Sequence, residues 1–317
     1  PMILVAGLTP AWQQIAVLER LRVGEVNRAR EVHWCASGKV LNVGLALTQL
    51  GARVRTLSLV GSGAAGDATR RDMADLGVDV RWVESNAPQR VCTTLLDNQS
   101  GQTTEIVENA PPVTGKELEA FVTAFTNAAA SAEIEFVILT GSLPAGTPRE
   151  FFSTLLRRTS AKAILDIRGP ELLDALPHRP FLIKPNREEL SHTVGRSLNS
   201  DADVWQAMRE LRDTGAEWVV VTNGSHDVFA VNGEDRWRFA PQKIEVVNPI
   251  GCGDCFAAGI AWSLQQGNEM RPSIGSGMAA AGLNATELLP ARIGSMWSNL
   301  MSVSAKLHRR MREVEDQ

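Results

Sequence analysis

The chain has 317 residues and a formal net charge of −4, from 32 Lys and Arg against 36 Asp and Glu. That length is ample for a sizeable core, in one large α/β domain with an appendage or in two domains. The acidic balance argues against a nucleic-acid or membrane-surface role, no apolar run reaches membrane-spanning length, and four cysteines do not make a disulfide scaffold. The densest basic run, 306–312, reads as the solvated face of a terminal helix. A soluble, cytoplasmic protein is expected.

Residues 2–8 read as a first buried strand, too short and too poor in basic flank for a signal peptide. An alternating stretch to residue 34, interrupted by the turn-like Val23-Gly24-Glu25-Val26-Asn27-Arg28, reads as strands with one exposed face. Ser37-Gly38-Lys39-Val40-Leu41-Asn42-Val43 then opens an apolar helix that ends at Gly51. Gly38 and Lys39 at a helix start suit a phosphate, although a surface lysine explains the pair as well. They are not a Walker loop, because His33 stands six positions before Lys39 and Val40 replaces the required Ser or Thr. A strand over 53–60, Gly61-Ser62-Gly63-Ala64-Ala65-Gly66, a helix to 76 and a strand over 78–83 match G-x-G-x-x-G, with Glu84 near the expected acidic position. This is the rival signal, for an NAD-binding oxidoreductase.

Residues 90–96 and 102–107 read as a hairpin that pairs with the early exposed strands. From 114 the pattern alternates: helix to 130, strand 136–139, helix from 148, strand 163–167, a short helix, strand 181–183, two helices to Gly215, strand 218–222. Alternation of this kind implies a parallel sheet covered by helices, with ligands at the carboxyl ends of its strands. Gly141, Lys184, Asn223 and Gly251 each follow a predicted strand and are expected to share one crevice.

Asn248-Pro249-Ile250-Gly251-Cys252-Gly253-Asp254 follows a strand-like apolar run, 243–247, and precedes a helix read over 255–266. Glycines at a strand-to-helix turn let main-chain N–H groups and the helix dipole hold an anion. Asp254 beside such a site would repel the anion, which points to chemistry: a carboxylate next to a transferring phosphoryl group can accept the proton of an attacking hydroxyl. The plainer alternative is a turn and a helix cap. Cys252 and Cys255 form a C-x-x-C pair where a thiol pKa can fall, but no second pair accompanies it, and Cys35 and Cys92 are isolated.

These residues resemble the ribokinase-like, or phosphofructokinase-B-type, carbohydrate kinases. The Gly-x-Gly-Asp signature is joined in the family's order by Gly24-Glu25-Val26-Asn27-Arg28, Gly38-Lys39 with Leu41-Asn42-Val43, Gly141-Ser142-Leu143-Pro144 and Lys184-Pro185-Asn186 with Glu189. The similarity covers nearly the whole chain and leans to the 1-phosphofructokinase and tagatose-6-phosphate kinase branch. It implies a three-layer α/β/α fold with a central, mostly parallel sheet (core 1–8, 36–87 and 111–317) and a small β-sheet lid (9–35 and 88–110). It implies an ATP- and Mg2+-dependent kinase acting on a sugar or sugar phosphate, with no nucleic-acid or membrane partner and a lid edge that invites homodimerisation. Asp254 would be the base, and Gly251, Cys252 and Gly253 the anion hole. Asn186 and Glu189 would organise the magnesium, and Lys184 with Thr222 to Gly224 would lie along the nucleotide. Gly38, Lys39, Asn42, Arg90 and Ser142 would face the acceptor.

Departures fall on the acceptor side. The branch's early Asp is Gln13 here, the outer glycines of Gly-Gly-Lys-Gly are Ser37 and Val40, and an expected lid Asn is Val107. An amide for a carboxylate should weaken recognition of the usual sugar by about 1–3 kcal/mol. Altered acceptor choice, an unphosphorylated sugar or a nucleoside, is therefore the alternative, and a non-catalytic ligand sensor on the same fold is a second. Trp12 and Trp34 read either as core residues or as a stacking surface for a sugar or base.

Overall fold

The structure, a computed structural model, describes residues 1–233 and 235–299; the 306–312 run lies outside the described residues. The chain opens with β1 (Met2–Gly7), β2 (Ala11–Leu18) and β3 (Glu31–Ser37), then α1 (Lys39–Gln49), β4 (Val54–Ser62), α2 (Gly63–Asp75) and β5 (Val80–Pro88). The hairpin follows as β6 (Val91–Asp97) and β7 (Thr103–Val107). Next come α3 (Gly115–Ala129), β8 (Ile134–Thr140), α4 (Phe151–Leu156), β9 (Lys162–Asp166), α5 (Gly169–Ala175), β10 (Leu182–Ile183), α6 (Arg187–Val194) and α7 (Asp201–Thr214). β11 (Trp218–Asn223), β12 (His226–Asn232) and β13 (Asp235–Phe239) precede α8 (Cys252–Gln265) and α9 (Met270–Ala285).

Nine strands form one sheet in the order β13-β12-β11-β10-β9-β8-β1-β4-β5, parallel except for β12 and β13. β1 lies inside it, bonded to β4 and β8, and is buried on both faces. That is why its sequence is continuously apolar. Leu4 and Ala6 join one core with Phe121, Phe125 and Leu172; Ile3 and Val5 join the other with Leu41, Leu45 and Phe256. Each large side chain so buried contributes about 1.5–3 kcal/mol. The fold is the α/β architecture expected, with a mostly parallel sheet between helical layers.

The second sheet, ordered β3-β2-β6-β7, is separate. Its hairpin forms as expected and meets the early strands through a parallel β2–β6 ladder, Gln13 opposite Cys92. Ile15, Val17, Cys35 and Leu96 make a small apolar cluster under it, joined by Leu288 and Leu289 from the loop after α9. Trp12 and Trp34 stack on each other with centroids 6.1 Å apart, Trp12 half-buried against the main core and Trp34 exposed.

The structure corrects three expectations. Residues 243–247 form no strand: Ile244, Val246 and Val247 are exposed and run irregularly beside the cleft, because apolar spacing cannot supply a ladder partner. α8 begins at Cys252 and not at 255, while Asp254 holds the first-turn place its spacing from the glycines implies. The G-x-G-x-x-G stretch serves packing: a Cβ at Gly61 would overlap the Gln89 backbone, and one at Gly66 would overlap the Gly61 carbonyl. Glu84, the acidic residue near the position that fingerprint expects, is ion-paired to Arg70.

Candidate active site

The carboxyl ends of β1, β8, β9 and β10 and the N-termini of α1, α6 and α8 open on one cleft, whose other wall is the small sheet. Gly251 is the N-cap of α8 with φ 85°, and a Cβ there would come within 2.9 Å of Pro290. At Gly253 the place of a Cβ is 3.6 Å from Lys184 Nζ. The Cys252 N–H donates to Pro249 O at 3.2 Å, whereas the N–H groups of Gly253 and Asp254 sit in the first turn, where a helix supplies no carbonyl of its own. These amides, the dipole and Lys184 make an anion-receptive corner.

Asp254 is buried and accepts a 2.7 Å hydrogen bond from Asn42 Nδ2 on its Oδ2. The Ser37 hydroxyl donates to Asn42 Oδ1 at 3.2 Å, which turns the amide nitrogen toward Asp254. Ser37, a departure from the glycine pattern, thus orients the residue that holds the aspartate. Val40, the other departure, is accommodated by Gly7, where the place of a Cβ lies 2.9 Å from Val40 Cβ. Burial pushes the Asp254 carboxyl up to about 6; the Asp166 carboxylate adds to the rise, and Lys39, Asn42 and Lys184 oppose it.

Asp166, at the end of β9, was not singled out from the sequence, although an acidic residue closing a buried strand is a usable signal. Its Oδ1 lies 3.2 Å from Lys39 Nζ and 3.3 Å from Lys184 Nζ. Burial works against this carboxylate, but the two ammonium groups overcome it and hold it below the usual range. Two neighbouring carboxylates are thereby driven apart, one kept ionised and one able to exchange a proton near neutrality.

Glu189 completes the cluster, with Oε1 3.1 Å from Lys39 Nζ. It also forms a capping box with Asn186 at the start of α6: Glu189 N–H donates to Asn186 Oδ1 at 2.7 Å, and Asn186 N–H donates to Glu189 Oε2 at 3.0 Å. The two residues expected to organise a metal are thus the two that start the helix. Desolvation lowers the Lys39 ammonium, but Asp166, Glu189 and Asp254 outweigh it and hold the group above its ordinary value. Among the described residues no three His, Cys, Asp or Glu side chains form a closed metal cage. Asp166, Glu189 and Asn186 offer hard oxygen donors at one end of the cleft, a set suited to Mg2+ held largely through water.

On the opposite wall Gln13 is buried, its Nε2 donating to Thr94 Oγ1 at 2.8 Å. With the nitrogen so tied, the carbonyl oxygen is what Gln13 offers the cleft it lines. Arg90 lines the cleft too, but its guanidinium donates to Thr9 O at 2.7 Å, Pro10 O at 3.0 Å and Glu108 O at 3.2 Å. It clamps the small sheet to the loop after β1. Gly38 caps α1 with φ 92° against Thr9 O, and Ser142, Val107, Thr222 and Gly224 also line the cleft. Of the site residues expected from the sequence, all but Asn223 line this cleft, the turn presenting Thr222 and Gly224 to either side of it; Trp12 and Trp34 are not among its lining residues.

The C-x-x-C pair does not carry activated thiols. Cys255 is buried and Cys252 half-buried, both are free, and burial pushes both thiols up despite the helix terminus. Their sulfurs pair with the Asn284 side chain, Cys252 Sγ accepting at 3.3 Å and Cys255 Sγ donating at 3.4 Å.

A family model described as pfkB family carbohydrate kinase matches residues 2–292. Among solved structures, phosphofructokinase-2 from Escherichia coli in complex with substrates and products matches with 22% identity and a TM-score of 0.86, covering 96% of this chain and 99% of that one. The tetrameric inhibited form of the same Escherichia coli enzyme matches with 23% identity and a TM-score of 0.81 over 93% and 99%. Ribokinase from Thermotoga maritima matches with 19% identity and a TM-score of 0.76 over 95% and 99%. At these identities the likeness of the structures bears on the fold alone.

Proposed function

The chain belongs to the pfkB family of carbohydrate kinases, and from that premise we propose that it transfers the γ-phosphoryl group of ATP to a hydroxyl of a sugar phosphate with Asp254 as general base. The observation that carries the proposal is the buried Asp254 carboxyl, pushed up to about 6, beside a glycine turn that faces Lys184. With Oδ2 occupied by Asn42, Oδ1 takes the proton of the acceptor hydroxyl as its oxygen bonds to the γ-phosphorus and the bond to the bridging β–γ oxygen breaks. The Gly251 to Gly253 turn and Lys184 balance charge on the transferring group. Thr222 and Gly224 lie along the nucleotide. Asn186 and Glu189, with Asp166, would hold Mg2+, which neutralises charge on the phosphate oxygens when bound.

Gln13 Oε1, Gly38, Asn42 and Ser142 receive the acceptor's hydroxyls, with Lys39 and Arg90 nearest its phosphate. The small sheet acts as a lid that excludes water, a competing acceptor. Its outer face, with Val32, Trp34 and Ile106 exposed, supports a homodimer through the lid. No helix among the described residues is long and apolar enough to cross a membrane, in keeping with the cytoplasmic setting expected for an ATP-dependent kinase.

One observation favours a second reading, an acceptor without a phosphate: Lys39 already has two carboxylate partners and Arg90 three carbonyls. An ATP-consumption screen over fructose-1-phosphate, fructose-6-phosphate, tagatose-6-phosphate, unphosphorylated sugars and nucleosides decides between them. Asp254→Asn should lower kcat on the active acceptor by roughly 10²–10⁴-fold with ATP binding preserved. Tight ligand binding with no ATP consumption on any acceptor would replace the kinase reading with that of a ligand sensor.

A further inference from the structure

Asn284, near the end of α9, is fully buried, and its carboxamide is wholly engaged around the glycine turn. Nδ2 donates to Ile250 O at 2.8 Å and to Cys252 Sγ at 3.3 Å; Oδ1 accepts from Ala291 N–H at 2.7 Å and from Cys255 Sγ at 3.4 Å. Ile250 and Cys252 flank Gly251, so one side chain grips the turn on both sides of its left-handed residue. Ala291 is itself left-handed, with φ 60°, an uncommon conformation for a residue with a Cβ. The bond to Asn284 Oδ1 helps to hold it.

The contacts continue from there. Arg292 Nη2 lies 2.9 Å from Asp72 Oδ2 on α2, which also accepts the Ala36 N–H of β3 at 2.7 Å. β3 leads through Ser37 into α1, where Asn42 holds Asp254. A second tie runs alongside: Asn248 donates to Leu288 O at 2.8 Å, and Leu288 and Leu289 pack into the lid's apolar cluster. Polar contacts thus link the glycine turn, the loop after α9, the lid and the base.

Resting on the kinase reading above, we propose that Asn284 is a positioning residue: it fixes the tilt of the peptides around Gly251, hence the aim of the first-turn amides of α8, and couples that aim to the lid through residues 288–292. It touches no reactant itself. Displacement of reacting groups by about 1 Å costs roughly 100-fold in rate, so a loosened turn acts on kcat more than on binding.

The test uses Asn284→Asp, which keeps an oxygen for Ala291 N–H but sets a carboxylate against Ile250 O, and Asn284→Ala, which removes both ties. With wild-type enzyme active on its acceptor, each folded variant should lose about 10–100-fold in kcat, with KM for ATP and sugar within about threefold of wild type. A folded variant with a lowered Tm but unchanged kcat reduces Asn284 to a packing role and overturns the proposal. Should neither variant fold, Asp72→Ala, at the half-buried outer end of the same contacts, decides. A several-fold loss of kcat at constant KM supports the coupling, and wild-type kcat removes it. Absence of kinase activity in the wild-type chain would instead strike the reading on which the proposal rests.

Discussion

On the α/β wall of the cleft, Asp166, Lys184, Glu189 and Asp254 are buried and, with Lys39, engage one another or a buried amide. On the lid wall Gln13 is neutral and Arg90 is bound to main chain. The first wall comes from five positions spread over 216 residues of sequence that meet only because strand ends and helix starts share one edge. The second is one face of a small sheet, where exchanging a side chain disturbs few neighbours. A side chain that several partners depend on is costly to exchange, and one with few such partners is freer to vary. This explains why Gln13 and Val107 depart from the family pattern on the lid, whereas the departures near the base, Ser37 and Val40, come with compensating contacts.

The comparison breaks most visibly at Asp166. Asp166→Asn leaves the buried Lys184 ammonium without its carboxylate, an expected loss of about 3–5 kcal/mol in urea unfolding. A loss below about 1 kcal/mol would mean that the paired wall is less interdependent than its geometry implies.

Asp254→Asn should go the other way for stability while removing turnover. The folded pKa of Asp254 lies above its ordinary 3.8, at about 6, so its contribution favours folding below 3.8 and is lost as pH rises through about 6. At pH 7 the ionised form costs stability, and neutralising it should stabilise by about 3 kcal/mol, a difference that vanishes in unfolding curves below pH 4. The same ionisation should make wild-type kcat/KM for the acceptor fall about tenfold per pH unit below 6; a kcat/KM flat to pH 5 would take the role of base from Asp254.

On the lid, Gln13→Asp should shift discrimination between acceptors by about 1–3 kcal/mol in kcat/KM and leave the KM for ATP unchanged. A change in ATP affinity would show that the walls are not separable. The smallest effect belongs to the lid's outer face: Trp34→Ser should cost the protomer about 0.5–1.5 kcal/mol through its lost stack on Trp12 and shift a dimer toward monomer in sedimentation.

Much of this was legible in the residues. The continuous apolar run of β1 announced a strand buried on two faces, and the order of Gly38-Lys39, Gly141-Ser142, Lys184-Pro185-Asn186 and Gly251-Cys252-Gly253-Asp254 carried the family. At Asp166 the acid closing a buried strand marks the position but not its role, which comes from Lys184, 18 residues on, and Lys39, 127 residues back. The 243–247 run misled because apolar residues exposed beside a cleft and residues in a ladder share a composition. The roles of Ser37 and Arg90 depend on which atom each side chain reaches, Asn42 Oδ1 for one and three carbonyls for the other, and spacing alone does not fix that.

The parallel pairing of β2 with β6 has a consequence for how the molecule is made. Parallel strands cannot be joined by a tight turn, and between these two the chain passes through β3, α1, β4, α2 and β5. The lid therefore cannot be excised as a self-assembling peptide. Its strands come into register only once α1, β4, α2 and β5 have docked on β1. In a chain emerging from its N-terminus all four strands of the small sheet are made by residue 107, before Lys184, Thr222 and Asp254 of the opposite wall exist.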